Sequence, residues 1–415
     1  MITGRDLKCI FGIILVLCFT VSLQVSGQKI GYYIDKNKKK VYVPFKLYNN
    51  LVVVPVILNN RLPLNFVVDT GVRSSIITDR VITDMLDLPY NRKITINGPG
   101  DYTLLEAYVV TQVELAMEGV HGFGQAVLVL EKDYLQLRNY LGTEVHGIIG
   151  WDIFNRFVVE FDYVNEVMIL HEPKSYKPRN RYSSFPIIIE DTKPYLITKI
   201  QVNDSTTLPA KLMIDTGASH AIMLNRRGET EILMPDHSIH ADLGRGLGGK
   251  ITGQIGRISQ IEIGDFIFND LIASFPDPES YPDTISFANR NGTLGGEILT
   301  RFSVIFDYHK KTIYLKKSSG FKKSFEFNMS GLTVSAKGDG LNTFSVELVR
   351  ENSPADKVDI REGDVITSIN GYQNEDVTLN QIYQLFNSKE GKSIRLGITR
   401  KGKNMKKRFD LERIL

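Results

Sequence analysis

The chain has 415 residues, enough for two to four domains. Its 42% hydrophobic and 23% charged residues are those of an ordinary globular protein and exclude a disordered one. A formal net charge of +3 is too small to argue for a nucleic-acid partner.

The N-terminus reads as a secretory signal over residues 1–27. Arg5 and Lys8 precede an apolar run from Cys9 to Leu23, and Val25-Ser26-Gly27 offers small residues for cleavage before Gln28. The run is short beside the ~20 apolar residues that a bilayer span needs. Cleavage and an extracytoplasmic location, periplasmic or secreted, are therefore expected. Membrane attachment would follow only if the segment stayed uncleaved. Both cysteines, Cys9 and Cys18, fall in this segment. The mature chain then has no disulfide, no thiolate metal site and no cysteine nucleophile.

From Gly31 to Leu58 the chain is strand-like, and Asn59-Asn60 marks a turn. The next apolar run, Asn65-Phe66-Val67-Val68, ends on Asp69-Thr70-Gly71. Ser74 to Ile77 begins another apolar stretch. Asn97-Gly98-Pro99-Gly100, between Ile94-Thr95-Ile96 and the run from Leu104 to Val110, predicts a hairpin. Lys132 to Leu141 has helical spacing. Gly147-Ile148-Ile149-Gly150 and then Phe157-Val158-Val159-Glu160-Phe161-Asp162-Tyr163 follow.

The pattern then repeats. Lys211-Leu212-Met213-Ile214-Asp215-Thr216-Gly217 matches the Asp69 stretch at an offset of 215 − 69 = 146. Phe302-Ser303-Val304-Ile305-Phe306-Asp307-Tyr308 matches the Phe157 stretch at 302 − 157 = 145. Gly292-Thr293-Leu294-Gly295 answers Gly147 to Gly150, and Gln260 to Ile263 answers Gln112 to Leu115. The reading is a duplicated β-rich lobe, 28–175 and 183–318, joined through the polar stretch Pro173 to Ser183. After Ser318-Ser319-Gly320 the character changes. Residues 325–415 read as a separate small domain of strands with a helix from about Val377 to Phe386, capped by Asp376. The basic stretch Arg400 to Arg408 reads as a solvated strand end.

A carboxylate at the end of a buried run is costly unless it is paired. Two such carboxylates in matching contexts point to Asp69 and Asp215 meeting. A close pair cannot both ionise cheaply and keeps one proton, an acid and a base in one site. The ionised member can activate a water while the protonated member donates to a carbonyl oxygen, which hydrolyses a peptide bond. The Thr70 and Thr216 hydroxyls are placed to bond across the pair, and Gly71 and Gly217 leave room for the turn beneath it. Val72 and Ala218 bring no hydroxyl to the carboxylates, so a mildly acidic to neutral optimum is expected. Gly244 to Ile251 formally contains G-x-G-x-x-G but lacks a strand-then-helix context, and reads as a flexible hairpin matching Gly98-Pro99-Gly100. Asp236, His237 and His240 read as a polar loop. No zinc-protease or serine-nucleophile motif is present, and the mechanism requires no metal and no cofactor. Asn203, Asn291 and Asn328 head glycosylation patterns.

With these residues in view, the chain resembles aspartic proteases of the retropepsin and pepsin superfamily. The matches are Asp69-Thr70-Gly71, Asp215-Thr216-Gly217-Ala218-Ser219, Ile148-Ile149-Gly150 and Leu294-Gly295, over residues 40–316. Val72-Arg73 after the first Gly and Thr293 in the second downstream motif depart from the family pattern, and Tyr102 is a candidate for the flap tyrosine. The resemblance implies a mainly β, bilobal fold of two β-barrel-like lobes, with glycine-rich hairpins closing over a peptide or protein substrate. Because one chain supplies both halves, a monomer is expected. Residues 325–415 resemble a small α+β PDZ domain through Ser353-Pro354-Ala355, Gly363-Asp364-Val365-Ile366 and Ile369-Asn370-Gly371. That likeness implies a groove that takes a C-terminal peptide by strand addition, with N–H groups of Gly331, Leu332, Thr333 and Val334 capturing the carboxylate. The alternative to an aspartic endopeptidase is a non-catalytic peptide-binding scaffold that keeps the fold.

Overall fold

Alternating burial along the strands follows the apolar pattern, as in Lys40–Pro44, where Val41 and Val43 face inward. The computed structural model describes residues 30–100, 104–203, 207–225, 232–280 and 290–415. Residues 1–27, where a signal segment is expected, their two cysteines and Tyr102 lie outside them.

The fold is mainly β, and the two repeats build sheets of matching order. In the first, Leu62–Val68 lies between Gly147–Ile149 and Leu51–Leu58, with the Leu105–Met117 and Arg92–Ile96 strands beyond. In the second, Thr207–Ile214 lies between Gly292–Leu294 and Lys193–Gln201. In each repeat the strand that leads to Asp pairs in parallel with the downstream glycine motif, Val68 opposite Ile149 and Ile214 opposite Leu294. Gly147 and Gly292 permit close packing on the strands beside them: a Cβ on Gly147 would lie 2.6 Å from the Phe66 ring, and one on Gly292 2.0 Å from the Met223 carbonyl oxygen.

The repeats also share a third sheet. The duplicated strands Val158–Asp162 and Phe302–Asp307 lie side by side, Glu160 opposite Ile305, flanked by Val167–His171, Lys40–Pro44, Thr312–Lys317 and Ser183–Pro186. Phe154, Phe157, Phe161, Phe302 and Phe306 from both repeats are fully buried together. At about 1.5–3 kcal/mol per buried aromatic side chain, this shared core is what fixes one lobe on the other. Under it, Glu160 accepts from Tyr182 Oη at 3.1 Å and pairs with His171 at 3.0 Å, so the buried carboxylate is satisfied.

Two local expectations change. The helix over Lys132 to Leu141 is only Leu137–Leu141, because Gln136 is left-handed at φ 50° and its N–H is held by Asp133 Oδ1 at 2.8 Å. The helix Leu379–Phe386 is capped by Thr378, not Asp376: Thr378 and Gln381 exchange side-chain and backbone bonds in a capping box.

The last sheet runs Leu332–Lys337, Thr343–Val349, Val365–Ile369, Ser393–Arg400, Lys403–Asp410. It is held firmly on the second lobe. Phe325 is 4% exposed, packs edge-on to Phe268 and lies 3.6 Å from the Arg301 guanidinium. Arg257 donates to the Phe325 carbonyl at 3.0 Å, and Arg413 pairs with Glu326 at 2.5 Å. It also touches the first lobe, where Arg138 donates to the Gly338 and Asp339 carbonyls at 3.3 and 3.0 Å. Phe325→Ala should cost about 3–5 kcal/mol at this junction. Limited proteolysis is the check: cleavage between residues 318 and 325 is expected to become rapid in the variant, and an unchanged digestion pattern would mean that other contacts hold the junction.

Candidate active site

Asp69 and Asp215 stand at equivalent strand ends, and their backbones are set the same way. The Asp69 N–H donates to the Ile149 carbonyl and the Asp215 N–H to the Leu294 carbonyl, both at 2.9 Å. The two carboxylates then meet. A Cβ built on Gly71 would touch both, at 3.0 Å from Asp69 Oδ1 and 3.2 Å from Asp215 Oδ2. One on Gly217 would lie 2.3 Å from Asp69 Cγ, so only glycine fits there. The Gly71 N–H donates to Asp69 Oδ1 at 2.5 Å and the Gly217 N–H to Asp215 Oδ1 at 2.9 Å.

Beneath the pair, the two threonines are exchanged between lobes. The Thr70 N–H donates to Thr216 Oγ1 at 3.0 Å, and the Thr216 N–H to Thr70 Oγ1 at 3.0 Å. Each hydroxyl then donates to a carbonyl across the interface, Thr70 to Ile214 at 2.7 Å and Thr216 to Val68 at 2.8 Å. Both side chains are buried, so every donor and acceptor in this lattice must be paired.

Burial, then the charge of Asp215, raises the Asp69 carboxyl well above the usual carboxylate range. Burial raises Asp215 as well, against a hydrogen bond from Asp69, the Gly217 N–H and the charges of Arg290 and Lys193. The direction for the pair is one retained proton, shared between the two carboxyls. The Tyr308 hydroxyl is buried close by, pushed up by desolvation and by both carboxylates, and it has no hydrogen-bond partner among the described residues.

A cavity of about 470 Å³ opens above the carboxylates. Its roof comes from the two glycine-rich hairpins, whose tips touch. The Gly248 N–H donates to the Pro99 carbonyl at 2.7 Å, and the space a Cβ would need at Gly98 is taken by Leu247. Gly100, at φ 132°, lies so close to Gly248 that no side chain fits. Gly244 to Ile251 thus belongs to a hairpin, Ser238–Gly246 paired with Gly249–Ile263. His240 pairs with Asp277 at 2.9 Å, and His237 bonds the Ile414 carbonyl at 2.8 Å. Two of the glycosylation asparagines carry structure: Asn291 Oδ1 accepts from the Lys211 N–H at 2.9 Å, and Asn328 Oδ1 from the Ser330 N–H at 3.0 Å. For the third, Asn203, residues 204–206 lie outside those described.

The groove residues Gly331, Leu332, Thr333 and Val334 lie at the start of an edge strand facing the helix Leu379–Phe386, beside a cavity of about 840 Å³. Sequence reasoning has their N–H groups open to a ligand; here those of Gly331, Leu332 and Val334 are engaged. Asn328 Oδ1 takes the Gly331 N–H at 3.3 Å, and Ser330 Oγ takes the Leu332 N–H at 3.1 Å. Tyr383 Oη accepts from the Val334 N–H and donates to the Val334 carbonyl, each at 2.9 Å. Sequence reasoning did not single out Tyr383, Lys193, Arg290 or Tyr308. Aligning Lys193 on the repeat register would have found it, and Tyr308 ends a duplicated strand motif.

Comparison with protein-family models matches an aspartyl protease model twice, to residues 54–153 and 198–298, and a PDZ domain model to residues 325–411. No curated protein matches the chain. The two matched segments each contain one of the Asp-Thr-Gly turns that meet at the cavity. The chain therefore carries an aspartyl protease domain of the duplicated, retropepsin- and pepsin-like kind, made from two segments, followed by a PDZ domain.

Proposed function

We propose that this chain is an aspartic endopeptidase that works as a single chain outside the cytoplasm. The observation that carries the reading is the pairing of Asp69 with Asp215 at the floor of a roofed cavity, locked by the reciprocal Thr70 and Thr216 bonds. The extracytoplasmic location rests on the residue pattern of the first 27 positions.

In this reading a water bound between the carboxylates loses a proton to Asp215 as its oxygen attacks the scissile carbonyl carbon. Asp69 gives its proton to the carbonyl oxygen, and a tetrahedral diol forms. The diol then collapses. One hydroxyl returns its proton to Asp69, the C–N bond breaks, and the leaving nitrogen takes the proton held by Asp215. No bond forms between enzyme and substrate, and the dyad ends as it began. The touching hairpins must part to admit a chain and then exclude water from the site.

The test is digestion of a diverse peptide mixture from pH 3 to 8, read by mass spectrometry, with Asp69→Asn and Asp215→Asn beside the wild type. Cleavage best at mildly acidic to neutral pH and lost in both variants is expected. A folded wild type that cuts nothing at any pH would leave a peptide-binding scaffold. Cleavage surviving either substitution would place the chemistry elsewhere.

The PDZ domain, in the same reading, takes peptide C-termini, and Tyr383 holds the groove closed. A peptide strand needs the Val334 groups that Tyr383 now occupies. Tyr383→Phe leaves both unsatisfied, a cost of about 1–3 kcal/mol that a bound peptide recovers. Fluorescence anisotropy with a C-terminal peptide library should show binding about tenfold tighter in Tyr383→Phe. Equal or weaker binding would mean that Tyr383 is not a latch.

A further inference from the structure

The duplication supplies its own control, because each wall position of one lobe has a counterpart in the other. Val53 pairs with Val67, two residues before Asp69, and Tyr195 pairs with Met213, two before Asp215. Counting back two residues equates Leu51 with Lys193. Ile148 pairs with Val67 and Thr293 with Met213, which equates Ile148 with Thr293. Gly147 answers Gly292, so Val145 answers Arg290.

At these positions the first lobe is apolar throughout. Leu51, Val145 and Ile148 are all buried in one hydrophobic cluster beside the cavity. The second lobe presents Lys193, Arg290 and Thr293 to the same cavity. Arg290 Nη1 lies against the Met213 thioether at 2.9 Å, which seats the guanidinium at the wall. Lys193 is only partly exposed, and its ammonium forms no ion pair among the described residues. Arg245, on the roof hairpin, adds a third cation, whose Nε is buried and unpartnered among the described residues. The Asp191 carboxylate, at the turn of the hairpin that carries Lys193, also lines the cavity and is paired with Arg73 at 3.5 Å.

We infer that the cleft is built for an asymmetric peptide, with an apolar residue on one side of the scissile bond and Asp or Glu on the other, the acidic side chain being held by Lys193. This rests on the endopeptidase reading and names its substrate class. A neutral duplicated wall would fit an apolar residue on both sides. Having Lys193 where the other lobe has Leu51 half-buries a cation that has no ion pair among the described residues, and an acidic side chain repairs that cost. The competing role for the same cations is to keep Asp215 ionised, which would set the pH profile and leave peptide choice alone.

The test separates these. Peptides that the enzyme cuts are compared in pairs that differ only by Glu against Gln, or Asp against Asn, next to the cut. Hydroxyethylene-isostere peptides, with Leu on one side and Glu or Gln on the other in both orders, are titrated by calorimetry into wild type, Lys193→Leu and Lys193→Arg. Lys193→Leu installs the residue of the partner position, and Lys193→Arg keeps the charge. The expected result is a preference of about tenfold or more for the acid in wild type, kept in Lys193→Arg and reduced to about twofold or less in Lys193→Leu. A Glu-to-Gln ratio near one in wild type, or a ratio unchanged in Lys193→Leu while its pH profile shifts, overturns the inference and leaves the endopeptidase reading standing. If no peptide is cut but the isosteres still show the acid preference and its loss in Lys193→Leu, the recognition holds and the catalytic reading fails.

Discussion

Asp215→Asn is expected to lower kcat for peptide cleavage by about 10³-fold or more and, in the same protein, to raise thermal stability at neutral pH. The first effect follows because the amide cannot take the proton of the attacking water, and general acid–base catalysis is worth up to about 10⁴-fold. The second follows from linkage. Both carboxyls are raised in the folded chain, by burial first. A carboxyl whose folded pKa lies above its unfolded value adds stability that is complete below the unfolded value, near 4, and is lost as pH climbs through the raised folded value. As pH rises the wild type therefore carries the cost of ionising a buried pair. Asn at 215 removes one of the two titrating carboxyls, so the fall in Tm between pH 4 and pH 7 should flatten. Scanning calorimetry across that range checks the sign. A wild type that grows more stable as pH rises from 4 to 7, with a variant of the same slope, would mean that the dyad does not share a proton as described. The same raised pair is expected to move best activity above the range of ordinary carboxylates, with one proton shared between Asp69 and Asp215.

Much of this site was readable before any coordinates, for a physical reason. Repeats separated by 145 and 146 residues carry the same apolar-run-to-Asp pattern, and a period-2 strand leaves little freedom in register once one face is buried. The strands ending at Asp69 and Asp215, and their parallel partners ending at Ile149 and Leu294, follow from that pattern. What was not readable depends on contacts across long sequence separations. That Glu160 lies opposite Ile305, making the duplicated strands neighbours in one sheet, is fixed by packing of Phe161 and Phe306 and has no local signature. The helix expected from Lys132 was shortened by one left-handed residue, Gln136, whose choice is made by the Asp133 side chain. The hairpin tips were legible as turns, yet their mutual contact was not, since Pro99 and Gly248 meet only once both lobes are assembled. The cations on the second wall were visible as letters. They gain meaning only from the register that sets Lys193 against Leu51.

Thr216→Val should be the second most damaging change at the site, and its control is Thr216→Ser. Valine has nearly the shape of threonine, so packing is kept while the hydroxyl is lost. That hydroxyl serves two backbone groups of the other lobe, the Thr70 N–H at 3.0 Å and the Val68 carbonyl at 2.8 Å. Both lie where water does not reach, and leaving each unpaired costs about 1–3 kcal/mol. The expected loss is therefore roughly 2–6 kcal/mol of stability, on the sum of those two penalties. Activity should fall further than stability alone explains, because Val68 and Thr70 flank Asp69 and a shift of about 1 Å in a catalytic group can cost ~10²-fold. Serine keeps the oxygen and loses only a methyl group, so Thr216→Ser should retain most of kcat and most of the Tm. The mirror substitution, Thr70→Val, removes the bonds to the Thr216 N–H and the Ile214 carbonyl and should cost a similar amount. The double valine variant decides how the lobes are coupled. If each hydroxyl acts only on its own two partners, the two losses add. If the exchange instead locks one lobe on the other, the first substitution already frees the interface and the second costs less than its share. The shared Phe core also holds the lobes together, while the threonine pair bonds directly to the turns that carry the carboxylates and sets the distance between them, so less than additive loss in kcat with near-additive loss in stability is the expected outcome.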